Sequence, residues 1–91
     1  MIARHLLISG KVQGVYYRGW SEETALALGL TGWVRNRKNG DVELLVQGHA
    51  ETIDHFITMA HRGPSAARVT AVEASEVPVS FLQGFEQRAT V

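Results

Sequence analysis

Trp33-Val34-Arg35-Asn36-Arg37-Lys38-Asn39-Gly40-Asp41-Val42-Glu43-Leu44-Leu45-Val46-Gln47 carries the clearest structural signal in the chain. Asn-Gly between two strand-like runs is the strongest short hairpin signal a sequence offers. The stretch predicts a strand over 33–37, a turn over 38–41 and a strand over 41–47. Val42, Leu44 and Val46 share one face of the second strand, as a half-buried strand requires.

On the N-terminal side of this hairpin, Gly29 and Gly32 close a helix predicted over roughly 19–30. Its apolar face would be Ala25, Leu26, Leu28 and Leu30, and Ser21 is a candidate N-cap. The helix starts a turn earlier, near Arg18, if the preceding loop binds an anion. Before it, residues 5–12 read as a strand, with Leu6, Ile8 and Val12 of one parity. After the hairpin, Ile53, Phe56, Ile57 and Ala60 form one stripe of a helix over 50–62, stopped by Gly63-Pro64. A strand over 69–77, a loop over 80–84 and a short strand over 85–91 complete the chain. The order is β-α-β-β-α-β plus a terminal strand. It predicts an α+β, ferredoxin-like sandwich in which two helices cover one face of an antiparallel sheet.

Ninety-one residues suit one domain, and 45% apolar content can build a modest core. There is no cysteine, so neither a disulfide nor thiolate chemistry is available. Met1-Ile2-Ala3-Arg4-His5 runs straight into a strand-like segment. With no leader pattern and no long apolar span, the expectation is a cytoplasmic monomer with no membrane partner. Net charge is zero, which disfavours a general nucleic-acid binder. Charge is uneven, however: residues 1–40 carry six basic and two acidic residues, and residues 41–91 carry three and seven. The basic half suits an anion, although ordinary solvated surface charge gives the same count.

That half holds Gly10-Lys11-Val12-Gln13-Gly14-Val15-Tyr16-Tyr17-Arg18. A strand runs into a loop bounded by glycines, and the loop delivers one Arg to a helix start. Inward-turned N–H groups form an anion nest, and a helix N-terminus adds positive partial charge. The Arg18 fork matches two phosphate oxygens. Read alone, the loop fits a phosphate cradle and an ordinary strand–helix turn alike. It lacks the spacing of nucleotide P-loops and of dinucleotide folds. Asn36 shares parity with Val34, so its carboxamide must find partners on the core side. It fits either a structural Asn bonded to the turn or a polar group that faces the nest and orients water. His5, His49, His55 and His61 have no shared-ligand spacing, so no metal is expected. Glu22 and Glu23 are adjacent and read as helix-dipole partners. Tyr16, Tyr17, Trp20 and Trp33 read as core or rim aromatics; Arg35, Arg37 and Lys38 as a solvated strand end that could steer anions. An anion sensor or RNA-binding module on the same fold is the rival reading. Neutral charge and the lack of an RNP-like aromatic run oppose RNA.

The run 10–18 closely resembles the first signature of the acylphosphatases, GxVQGVxFR. Residues 32–43 resemble their second: Gly, aromatic, Val, x, Asn, x, x, Asp or Asn, Gly, x, Val, Glu. Leu28-Gly29-Leu30, Gly63-Pro64 with Val69, and Phe85 also fit. Tyr17 stands where Phe is usual, Asn39 where Asp is frequent, and Ser21 where Thr is frequent. The resemblance implies an acid anhydride hydrolase that converts acyl phosphates to carboxylate and inorganic phosphate, without cofactor or metal. It implies Arg18 and Asn36 as catalytic residues. The cradle would be formed by Gln13, Gly14, Val15, Tyr16 and Tyr17 with Arg18. It also implies that a phosphate oxygen of the substrate accepts the water proton. The partner expected is a small-molecule acyl phosphate, with inorganic phosphate as product and inhibitor and no nucleic acid.

Overall fold

The hairpin forms where the sequence predicts it, and its loop lies within the predicted turn over 38–41. In the computed structural model, which describes residues 1–91, Arg37 N donates to Asp41 O at 2.8 Å and Gly40 N to Arg37 O at 3.1 Å. Lys38, Asn39 and Gly40 thus make a three-residue loop in which Gly40, at φ 101°, alone takes the positive-φ position. Asn39 contributes through its side chain: Oδ1 accepts from Asp41 N at 3.0 Å. The flanking strands are β2 (Thr31–Asn36) and β3 (Val42–Gly48).

Around the hairpin lie β1 (Ile2–Lys11), α1 (Tyr17–Ala27), α2 (Ala50–Ala60), β4 (Arg68–Val77) and β5 (Phe85–Gln87). The sheet order is β4-β1-β3-β2-β5. β1, β2, β3 and β4 pair antiparallel, with Leu6 opposite Leu44 and Val34 opposite Leu44. These are the ferredoxin-like strands. β5 adds to β2 in parallel, so the sheet is mixed rather than wholly antiparallel. The terminal strand is also shorter than 85–91, although Arg88 N still donates to Val34 O and Val91 N to Asn36 O.

Leu6, Ile8, Val34, Val42, Leu44 and Val46 face the helices and form one cluster with Tyr17, Ala25, Ile53, Phe56 and Ala60. The predicted α2 stripe is the one that packs. The predicted α1 face packs in part: Ala25, Leu28 and Leu30 reach the core, the last two from just past the helix, but Leu26 is 51% exposed. The buried stripe is Tyr17, Gly19, Ser21 and Ala25. Ser21 is therefore no N-cap: it sits inside the helix, and its Oγ donates to Tyr17 O at 2.8 Å. A small hydroxyl that bonds back to its own helix can be buried where a bulky residue would not fit. No helix is long and apolar enough to cross a membrane.

On the other sheet face, the expected solvated strand end is an ion cluster. Glu43, buried at 9% side-chain exposure, accepts from Arg35 Nε at 2.7 Å, Arg37 Nη1 at 3.3 Å and His5 Nε2 at 2.6 Å. Arg35 and Arg88 both lie over the Trp33 ring, at 4.7 and 4.9 Å. Trp20 sits instead among the helices, its ring tilted against those of Tyr17 and Phe56.

Candidate active site

The register of β1 breaks between Ser9 and Gly10 against β4. A bulge of this kind bends a strand and ends its pairing. Gly10 therefore belongs to β1 and not to the loop; a side chain there would run into the Arg68 carbonyl. Past Lys11 the chain leaves the sheet. Gly14 (φ 73°) and Tyr16 (φ 69°) are left-handed, with Val15 between them not so. Alternation of this kind turns successive N–H groups to one side.

Those N–H groups are without backbone partners. From Gln13 to Gly19 none donates to a backbone acceptor; the first to do so is Trp20 N, to Tyr16 O at 2.9 Å. Tyr16 caps α1 without a side-chain bond, and no acidic residue lies in the first turn. The positive end of the helix is thus uncompensated. Glu22 and Glu23 lie beyond that turn and bond elsewhere: Gln87 Nε2 donates to Glu22 at 3.0 Å and the Tyr16 hydroxyl to Glu23 at 2.8 Å.

The loop opens into a cavity of about 140 Å³ lined by Val12, Gln13, Gly14, Tyr16, Tyr17, Arg18, Gly19, Asn36 and Gln87. That is below the ~300–1,000 Å³ of pockets for drug-sized ligands, and it suits a compact group. Arg18 forms no ion pair. Asn36 Oδ1 is buried without a hydrogen-bond partner. An acceptor left this way costs on the order of 1–3 kcal/mol, so the turn-bonded reading of Asn36 fails.

Two side chains position these groups. Gln13 Nε2 donates to Arg37 O at 2.7 Å and Asp41 O at 2.9 Å. It staples the loop to the hairpin that carries Asn36. The Tyr17 hydroxyl donates to Ala60 O at 2.6 Å and anchors the helix start on α2; burial raises its pKa, so it stays protonated. Val15 is partly buried against the core. Tyr16 is the only non-glycine residue with positive φ, a conformation costing ~1 kcal/mol.

All the predicted site residues thus fall on this loop or on Asn36 beside it. The sequence reading missed Gln87 and Gly19. Gln87 comes from β5, whose pairing no local pattern encodes. Gly19 could have been noticed as a glycine inside a predicted helix. His49, His55 and His61 are exposed and far from this arrangement in role; His5 belongs to the Glu43 cluster.

Residues 4–87 match the acylphosphatase family model. A curated acylphosphatase from Acidovorax sp. (strain JS42) is 56% identical over 99% of this chain and 93% of its own length. Among solved structures, an acylphosphatase from Bacillus subtilis superposes with a TM-score of 0.94 at 28% identity, covering 97% of this chain and 99% of that one. One from Coxiella burnetii gives 0.93 at 38% identity, covering 96% and 92%.

Proposed function

The chain belongs to the acylphosphatase family and its enzyme class, and from that premise we propose how this single domain hydrolyses acyl phosphates. The phosphoryl group occupies the loop formed by Gln13, Gly14, Val15, Tyr16 and Tyr17, with Arg18 against its oxygens. Asn36 holds the attacking water. Water adds to phosphorus, the bond from phosphorus to the acyl oxygen breaks, and the carboxylate departs with that electron pair. A phosphate oxygen takes the water proton.

One observation carries this reading: Gln13, Gly14, Tyr16, Tyr17, Arg18 and Gly19, whose N–H groups lack backbone partners, line one small cavity together with Asn36, whose Oδ1 is orphaned, and Arg18 forms no ion pair. Fixed donors around a phosphoryl group stabilise the charge on its equatorial oxygens and need no reorganisation during reaction. Oδ1 can accept a hydrogen bond from water and fix its lone pair toward phosphorus. This donor set of amides and guanidinium suits an anion and would repel a cation. The titratable groups lining the cavity are Tyr16, Tyr17 and Arg18, and none is a base at neutral pH. Substrate-assisted proton transfer is consistent with that, and a carboxylate leaving group needs no acid.

Benzoyl phosphate turnover tests the proposal. Arg18→Ala is expected to raise KM and lower kcat together, and Asn36→Ala mainly to lower kcat. Inorganic phosphate should compete with substrate, and EDTA should leave the rate intact. Wild-type rates in both variants would reject the roles. Phosphate binding without turnover would turn the reading into an anion sensor.

A further inference from the structure

We propose that Tyr16 is the residue that selects the acyl group, its ring being the surface on which a flat acyl group packs. This rests on the acylphosphatase reading and deepens it.

If the phosphoryl group sits among the loop amides, the acyl group must project toward solvent. The inner lining, Val12 and Tyr17, is closed, each 1% exposed. The exposed side chains at the mouth are Tyr16 and Gln87. Tyr16 is 64% exposed, yet its ring is fixed. It rests on Gly19, where any side chain would collide with the ring, and its hydroxyl is tied to Glu23 at 2.8 Å. That hydrogen bond also raises the phenol's pKa and keeps it a donor.

The backbone gives a second argument. Glycine or asparagine would take the left-handed conformation at position 16 at little cost. An aromatic residue held there against its preference indicates a use for the ring, because strain of this kind persists where the surroundings enforce it. A fixed, half-exposed aromatic face at the mouth of a polar cradle favours flat, uncharged acyl groups over small aliphatic ones. Glu23 is the positioning residue that sets the ring's angle. Behind the rim, Glu22 and Glu23 disfavour acyl groups bearing a further negative charge.

The test compares kcat/KM for benzoyl phosphate and acetyl phosphate. The ratio should fall about five- to tenfold in Tyr16→Leu, the size of one aromatic stacking contact, and be retained in Tyr16→Phe. An unchanged ratio in Tyr16→Leu would overturn the proposal, since a residue that merely shapes the loop affects both substrates alike. Should that variant fail to fold, Tyr16→Gly, whose backbone accepts the same conformation, should show the same loss. Benzylphosphonate and methylphosphonate provide a binding readout without turnover. Tyr16→Leu should narrow their affinity ratio by the same factor. If wild type hydrolyses neither acyl phosphate, the activity reading falls; the phosphonate ratio alone then decides for or against Tyr16.

Discussion

Replacing Glu43 by Gln should change how stability depends on pH, by an amount the ion cluster sets. Burial alone would raise the Glu43 pKa. Hydrogen bonds from Arg35 and His5, the charge of Arg35 and a hydrogen bond from Arg37 outweigh it, lowering the value from 4.5 to about 2. A carboxyl group whose folded pKa lies below its unfolded one binds fewer protons when folded. Its contribution is therefore full above about pH 4.5 and is lost as pH falls toward 2. At ~1.4 kcal/mol per pH unit, that contribution is roughly 3 kcal/mol at neutral pH, with less than half remaining near pH 3. The carboxylate is 9% exposed, but its partners Arg35 and Arg37 are 24% and 40% exposed, so solvent screening makes this figure an upper bound.

Urea unfolding of both proteins from about pH 7 to pH 3 measures the difference. Other carboxylates titrate alike in both and cancel. Wild type should be up to roughly 3 kcal/mol more stable near pH 7, because the variant leaves Arg35 and Arg37 facing a neutral amide. The gap should shrink to ~1 kcal/mol near pH 3. A gap that stays constant across this range would refute the reasoning, since it would make the loss one of packing and not of charge.

Gln13→Ala removes both bonds between the loop and the hairpin. It should cost about 1–3 kcal/mol in urea unfolding and lower kcat, because Asn36 is no longer held in register with the cradle. Tyr17→Phe leaves Ala60 O without its buried donor, at a cost of about 1–2 kcal/mol that calorimetry can read. Deleting residues 88–91 removes the bonds that tie Val34, Asn36 and Lys38 to the chain end. It should lower kcat for benzoyl phosphate more than it raises KM; an unaltered kcat would exclude a positioning role for that segment.

Elements whose signal is local were legible in the sequence. The α2 stripe, the parity of β1 and β3 and the Asn-Gly hairpin need only near neighbours. What was not legible depends on distant partners. Ser21 resembles a cap only when the helix is started at Gly19; the alternative start near Arg18 is the one the structure has, with Tyr17 as first residue. Arg35 and Arg37 look solvated until Glu43, across the hairpin, takes them. The parallel pairing of β5, and with it Gln87 at the site, follows from a crossing of the whole sheet that no short pattern records. The left-handed Tyr16 is illegible for a related reason, since local preference argues against it.

The site itself differs from the rest of the molecule in one physical respect. Elsewhere, buried polar side chains have found partners: Gln47 bonds both ways with the Ser80 backbone, Glu43 has its three donors, and Ser21 bonds back to Tyr17 O. Around the cavity, Gln13 and Tyr17 have partners but other groups do not. Backbone donors, a guanidinium and a carboxamide oxygen are left unpaired side by side, and folding tolerates this only where the surrounding core is strong enough to hold them. Leu6, Ile8, Val34 and Leu44, all fully buried in the core that carries these strands, supply that strength. A cradle whose donors are fixed before substrate arrives has little ordering to do when charge develops in the transition state. The same unpaired groups should therefore be the positions where substitution stabilises the fold while it abolishes turnover. Asn36→Leu, which fills the space without a polar atom, is the variant in which that exchange should be most visible.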